Sequence, residues 1–263
     1  MELMEFLEGI RLMPEAIEKV QNLSVSKTRY ECVRQMFYED KSRFYEEILK
    51  EQNYRIWFLY YYSRMASELY EVYQEKGIEE TVFWDTFYDL TLWCQNCYRD
   101  YGEYGIQEYQ WIPLHLELRI FRFGRLQFEL VQLGNSISDG KPFVNIHIPQ
   151  GESLDMESCR KSFERAFEIY GKNIMYQCDS WLLNPVLQEM LNKDSNIIKF
   201  QKLFEEAAYN PEERQAEERI FDRVEEDANK YPEKTSLQRA AKKYLINGGK
   251  MGNVIGRLKI ELL

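Results

Sequence analysis

The sequence predicts an α+β or α/β protein in two parts, a helical domain over residues 1–110 and a domain over 111–263 built from a mixed β-sheet with flanking helices. Three observations carry this. Up to about residue 110, apolar residues recur every three or four positions, with few Gly or Pro. After Trp111 and Pro113 the pattern changes to alternation. From Phe143 onward the elements follow as strand, helix, strand, helix, the order of a crossover unit.

In the first part, Pro14 suits the first turn of a helix and Ser26 caps a longer one. Along that longer helix Tyr30, Val33, Phe37, Phe44 and Ile48 form one apolar stripe. Further helices are expected from Tyr54 through Tyr73 and from Thr81 to Tyr98, which together make a bundle. Aromatics reach 15% of the chain, with 19 Tyr, and read as large core side chains before they read as a ligand pocket.

In the second part, Leu114, Leu116, Leu118 and Ile120 alternate with His115, Glu117 and Arg119, as in a strand with one buried face. A three-residue hairpin loop at Phe123-Gly124-Arg125 would keep that register, opposing Ile120 to Phe128 and Arg119 to Glu129. Phe143 to Ile148 reads as a strand. Asp155 then caps a helix that buries Cys159, Phe163, Ala166, Phe167 and Tyr170 and stops at Gly171. A strand from Asn173 to Trp181 completes a parallel pair with a right-handed crossover. Asn184-Pro185 starts a short helix to Leu191, and residues 199–207 suit a strand. Asn210-Pro211 starts an acidic helix, Thr235 or Ser236 caps one to Asn247, and a glycine-punctuated strand ends near Leu262.

Composition narrows the function. The net charge of -10 repels phosphate backbones and anionic lipid, so no nucleic-acid and no membrane partner is expected. No apolar run approaches the roughly 20 residues of a membrane span, and the start MELMEFLEGIRLM is acidic where a secretory leader is basic. A cytoplasmic location with reduced thiols follows as the expectation for five unpatterned cysteines. Cys94-x-x-Cys97 stands alone, with two histidines in the whole chain, so no metal site is expected. A Ser180, His147, Asp179 triad fails for want of a nucleophile elbow.

Several segments resemble a bacterial family of GNAT-like acyltransferase-domain proteins, with a helical N-terminal region before a GNAT-like C-terminal domain. They are His147-Ile148-Pro149 with Gly151 and Leu154, Cys178-x-Ser180-Trp181-Leu182-Leu183-x-Pro185, Ser195-Asn196-Ile197 with Phe200, and Thr235-x-Leu237-Gln238-Arg239-Ala240 before Gly248-Gly249. The resemblance implies acyl transfer from acetyl-CoA or another acyl-CoA, as co-substrate, to a small amine or hydroxyl acceptor. It implies a ligand notch between residues 145–150 and 177–181, with a loop of Ile148, Gln150, Gly151, Glu152 and Ser153 beside the cofactor. His147 is then a candidate general base, Cys178 a nucleophile it activates, and Tyr176 and Asp179 lesser acid/base candidates. The loop offers one glycine, and Glu152, Asp155 and Glu157 put negative charge where a pyrophosphate would bind. A non-catalytic module that binds a small ligand or a protein in the same notch is therefore the alternative. Neither the acceptor nor the oligomeric state is specified by these patterns.

Overall fold

The computed structural model describes residues 1–263, which divide into two compact units, Met1–Phe123 with Pro149–Gly151, and Gly124–Ile148 with Glu152–Leu263.

The first unit is helical: α1 Leu3–Gly9, α2 Pro14–Gln21, α3 Lys27–Glu39, α4 Lys41–Leu49, α5 Tyr54–Glu75, α6 Glu80–Tyr101 and the single turn α7 Pro113–Leu116. Pro14 sits in the first turn of α2, where a missing N–H costs nothing. Ser26 caps α3, accepting from the Arg29 N–H. The expected long helix is two helices, because Asp40 leaves helical geometry and its side chain caps α4 through the Arg43 N–H. Tyr30, Val33, Phe37, Phe44 and Ile48 are nevertheless all buried. Rings fill this core: Phe37 meets Phe44 edge-on at 5.2 Å, and Phe58 stacks on Tyr109 at 4.5 Å. Fourteen of the 15 Phe are buried, whereas 13 of the 19 Tyr and all five Trp keep part of their surface exposed.

The alternating stretch at 114–120 is not a strand. Pro113 opens a helical turn instead, and Leu118 takes a positive φ of 56° as the Arg119 N–H bonds the Leu114 carbonyl. Leu116 and His115 are buried by the turn, so the alternation was coincidental with a strand's.

The sheet comprises β1 Ile120–Phe123, β2 Leu126–Val131, β3 Phe143–His147, β4 Met175–Ser180, β5 Phe204–Asn210 and β6 Asn253–Leu258, in the order β1-β2-β3-β4-β6-β5. The turn before β2 is two residues, Gly124-Arg125, rather than three, with Gly124 at φ 63°. β3 and β4 are parallel and every other pairing between β2 and β6 is antiparallel. The crossover between them is α8, Met156–Tyr170, capped by Asp155 on the Ser158 N–H and ended by Gly171 at φ 78°.

α8 buries Cys159, Phe163 and Phe167 against the sheet face carrying Phe128 and Tyr176. Beyond β4 come α9 Leu187–Met190, α10 Asn196–Gln201, α11 Gln215–Phe221 and α12 Ser236–Ile246. α10, capped by Ser195, occupies the start of the stretch expected as a strand, which begins only at Phe204. The acidic helix starts at Gln215, later than Asn210-Pro211 suggests. Thr235 caps α12 in a reciprocal capping box with Gln238. Leu187, Ile198, Phe221 and Ala241 of these helices share a second core with Tyr231 and Met251. No helix is long and apolar enough to cross a membrane.

Candidate functional site

The parallel pair opens at its carboxyl ends. β3 and β4 are in register at Phe143↔Met175, Val144↔Tyr176 and Asn145↔Gln177, and no further. Past that point each strand stays paired on its outer side: His147 pairs with Gln127 of β2, and Cys178, Asp179 and Ser180 pair with Gly256, Ile255 and Val254 of β6. The two strands therefore part between residues 146–147 and 178–180, leaving backbone groups on both inner edges for a ligand.

Strand periodicity sorts the side chains onto two faces. Val144, Ile146, Tyr176 and Cys178 share the apolar face with Phe128. The other face carries Gln127 and Glu129 from β2, Asn145 and His147 from β3, and Gln177 and Asp179 from β4. Glu129 and Gln177 are buried.

On this polar face the imidazole of His147 has a carboxylate partner. Its Nε2 lies 3.2 Å from Glu129 Oε2, with 23% of the histidine side chain and 11% of the glutamate side chain exposed. A carboxylate oxygen only accepts, so the facing Nε2 carries the proton and Nδ1 keeps the lone pair. Asn145 Nδ2 is 3.1 Å from the same ring nitrogen. With the proton on Nε2, the Asn145 carboxamide serves it by turning to present Oδ1, an oxygen otherwise without a hydrogen-bond partner. A carboxylate-held imidazole is equipped to take a proton from an incoming nucleophile.

The other catalytic candidates do not join it. Cys178 lies on the opposite face and is 1% exposed, and burial, with Asp179 adding, pushes its thiol far above the ordinary range. That is the setting of a small core residue, not of a thiolate activated by His147. Tyr176 shares that apolar face. Its hydroxyl donates to the Gly171 carbonyl at 2.8 Å and the Ala166 carbonyl at 3.2 Å, tying down the end of α8, and burial raises its phenol. Asp179 is exposed on the His147 face and accepts from Asn253 Nδ2 at 3.1 Å.

In the loop after β3, Ile148 and Gln150 are partly exposed, Gly151 takes φ 89°, and Glu152 and Ser153 face solvent. Arg125 holds its second half: Nε donates to the Ser153 carbonyl at 2.8 Å and Nη2 to the Glu152 carbonyl at 3.0 Å. Its buried guanidinium puts positive charge beside a loop whose sequence is acidic. The helix terminus that follows spends one N–H on Asp155, whose carboxyl is held below its usual range by that hydrogen bond. No group of His, Cys, Asp and Glu is arranged to hold a metal ion.

Glu129, Gln127, Asn145 and Arg125 were not singled out by sequence reasoning for this site. The available signal was the alternation Gln127-Phe128-Glu129-Leu130 and Asn145-Ile146-His147, polar residues on one face of two adjacent strands. The other histidine, His115, is buried in the helical unit with Nε2 3.0 Å from Asp89 Oδ2, a carboxylate that also accepts from the Trp111 indole at 2.7 Å.

Two family models match the chain: an N-acyltransferase N-terminal domain over residues 1–118 and a GNAT-like C-terminal domain over residues 120–258. No curated protein matches it. Among solved structures, an acyltransferase in complex with decanoyl-CoA and teicoplanin is similar at a TM-score of 0.80 and 22% identity, covering 98% of this chain and 87% of that one. An acyltransferase in complex with CoA and 10C-teicoplanin gives 0.79 and 23%, covering 98% and 88%. A mutant acyltransferase in complex with octanoyl-CoA gives 0.79 and 22%, covering 97% and 87%. At these identities the likeness establishes the fold.

Proposed function

Because the chain belongs to the acyltransferase family that joins an N-acyltransferase N-terminal domain to a GNAT-like C-terminal domain, we propose that it moves an acyl group from acyl-CoA to the amine or hydroxyl of a small acceptor. The observation that carries this reading is the opening between β3 and β4 with the Glu129-held His147 at its edge.

Acyl-CoA enters as co-substrate. Its pantetheine arm bears two amides, which suit the free backbone edges of the opened strands. The acceptor's N–H or O–H gives its proton to His147 Nδ1 as its lone pair attacks the thioester carbonyl. A C–N or C–O bond forms, the C–S bond breaks, and the thiolate of CoA leaves with the proton that His147 accepted. Glu129 stabilises the imidazolium formed on the way, and backbone N–H groups near Pro149, which has none itself, polarise the carbonyl. Asp179 is a second polar group on the same face, whereas Cys178 and Tyr176 serve packing. The similar acyltransferases with decanoyl- and octanoyl-CoA make medium acyl chains the first to try alongside acetyl-CoA. A cytoplasmic site of action fits the acidic surface.

The test is a thermal shift of the purified protein with acetyl-CoA, octanoyl-CoA, decanoyl-CoA and free CoA, since a ligand that binds only the native state raises its stability. A dose-dependent rise supports the reading. No rise at millimolar CoA thioester sinks it and favours the non-catalytic module, for which the acidic loop with its single glycine already speaks.

A further inference from the structure

The carboxamide of Gln127 is a buried polar group that the reaction above leaves unused. Gln127 is the direct cross-strand partner of His147 in the β2–β3 pair. Their side chains therefore leave the same face of the sheet, with Cβ atoms about 5 Å apart. Gln127 is 2% exposed, and its Nε2 has no hydrogen-bond partner in the protein. A buried amide donor left in that state costs stability, and side chains kept at such a cost stand next to something they serve.

Its place in the sheet says what that is. The strand order β2-β3-β4 sets Gln127 on one side of His147 and the opening for the thioester on the other. The thioester carbonyl is thus out of its reach. Around the imidazole Asp179 is exposed and Asn145 half-buried, and His147 itself keeps 23% of its side chain exposed against 11% for Glu129. Gln127 is the cross-strand neighbour of His147, so a molecule that docks its nucleophile on that ring stands next to the Gln127 position.

Building on the acyl-transfer reading, we propose that Gln127 is a specificity-determining residue for the acceptor, its Nε2–H donating to a lone-pair oxygen on the carbon next to the one that bears the nucleophile. Groups on adjacent carbons stand about 3 Å apart, which lets one meet the imidazole while the other meets the carboxamide. The acceptors selected in this way are 1,2-amino alcohols and 1,2-diols, and plain alkyl amines are disfavoured. A site built to hydrogen-bond an oxygen rejects the analogue that lacks it, because its own polar group is then left unpaired.

The experiment uses the full chain, decanoyl-CoA as donor, and ethanolamine and propylamine as paired acceptors, following CoA release and the mass of the amide product. In the wild type, kcat/KM for ethanolamine exceeds that for propylamine at least tenfold. In Gln127→Leu the ratio falls toward one through a raised KM for ethanolamine, while the KM for decanoyl-CoA stays put. Gln127→Met gives the same reading if leucine packs poorly. A ratio unchanged in either folded variant overturns the assignment. So does a wild type that is stabilised by decanoyl-CoA yet prefers neither amine or acylates neither. Absence of any decanoyl-CoA stabilisation instead brings down the acyltransferase reading, and this assignment with it.

Discussion

Replacing Tyr176 by Phe separates a structural phenol from a chemical one. The hydroxyl is fully buried and donates to the carbonyls of Gly171 and Ala166, at 2.8 and 3.2 Å. Phe keeps the ring and its edge-on contact with Phe167 at 5.1 Å, so the change removes hydrogen bonding without opening a cavity. One intramolecular hydrogen bond contributes about 1 kcal/mol net, and more where an acceptor is stranded away from water. The Gly171 carbonyl lies just past the end of α8, whereas the Ala166 carbonyl lies within its turns. A loss of about 1–2 kcal/mol follows. At about 2–4 °C per kcal/mol for chains of this size, the melting temperature falls by about 2–8 °C. Circular dichroism melts of wild type and Tyr176→Phe measure this, each with and without decanoyl-CoA. The ligand-induced rise should survive the substitution. An unchanged melting temperature, paired with lost acyl transfer, would refute the structural role and make Tyr176 an acid in the reaction.

Glu129→Gln keeps the side chain's shape and removes the charge that stabilises an imidazolium; kcat should fall about 10- to 100-fold, the worth of a charge-assisted hydrogen bond, with decanoyl-CoA stabilisation intact. An unaltered kcat would remove Glu129 from the mechanism. Iodoacetamide at pH 8 should add once to the native protein, at exposed Cys32, and five times after denaturation. Burial raises the thiols of Cys94 to about 12 and of Cys97 and Cys159 to about 11, and pushes Cys178 higher still, so native labelling of Cys178, read by peptide mass, would contradict its placement. Burial pushes the carboxyl of Glu217 upward, but hydrogen bonds from Arg214 and Tyr231 outweigh it and hold the group below its ordinary 4.5. A depressed folded-state value means stability that is present above 4.5 and is lost as pH falls through the folded value. Glu217→Gln should flatten that acid limb in pH-dependent melts, and an unchanged limb would count against the linkage.

Local signals were legible where the determinant lies within a few residues. Asp155 and Gly171 bracket α8, Ser26 starts α3, and the length of the crossover implies that β3 and β4 run parallel, as they do. The alternation at 114–120 does not make a strand because Pro113 opens a helical turn that a positive φ at Leu118 closes, and the turn buries His115 together with Leu116 while Leu114 and Leu118 stay half-buried. The hairpin turn is one residue shorter than expected: the three-residue loop is the one that matches apolar to apolar across the turn, and packing in three dimensions overrides that match. At the candidate site, His147 announced itself by residue type. Its partner Glu129 is 18 positions away and becomes its neighbour only through the β2–β3 register. Cys178 looked like a companion of His147 because both sit near strand ends, yet the pleat sends them to opposite faces.

The two-residue turn has a consequence for how this sequence can change. Arg125 occupies its second position and spends its guanidinium on the carbonyls of Glu152 and Ser153, so one residue both reverses the chain and anchors a loop 27 and 28 positions later. Hairpin tips ordinarily absorb insertions. This one should not: an added residue would swing Arg125 off its two carbonyls and release the segment beside the opened strands. Among descendants of this sequence, length variation belongs at the tip around residues 134–141, between β2 and β3, and the Gly124-Arg125 turn should keep its length.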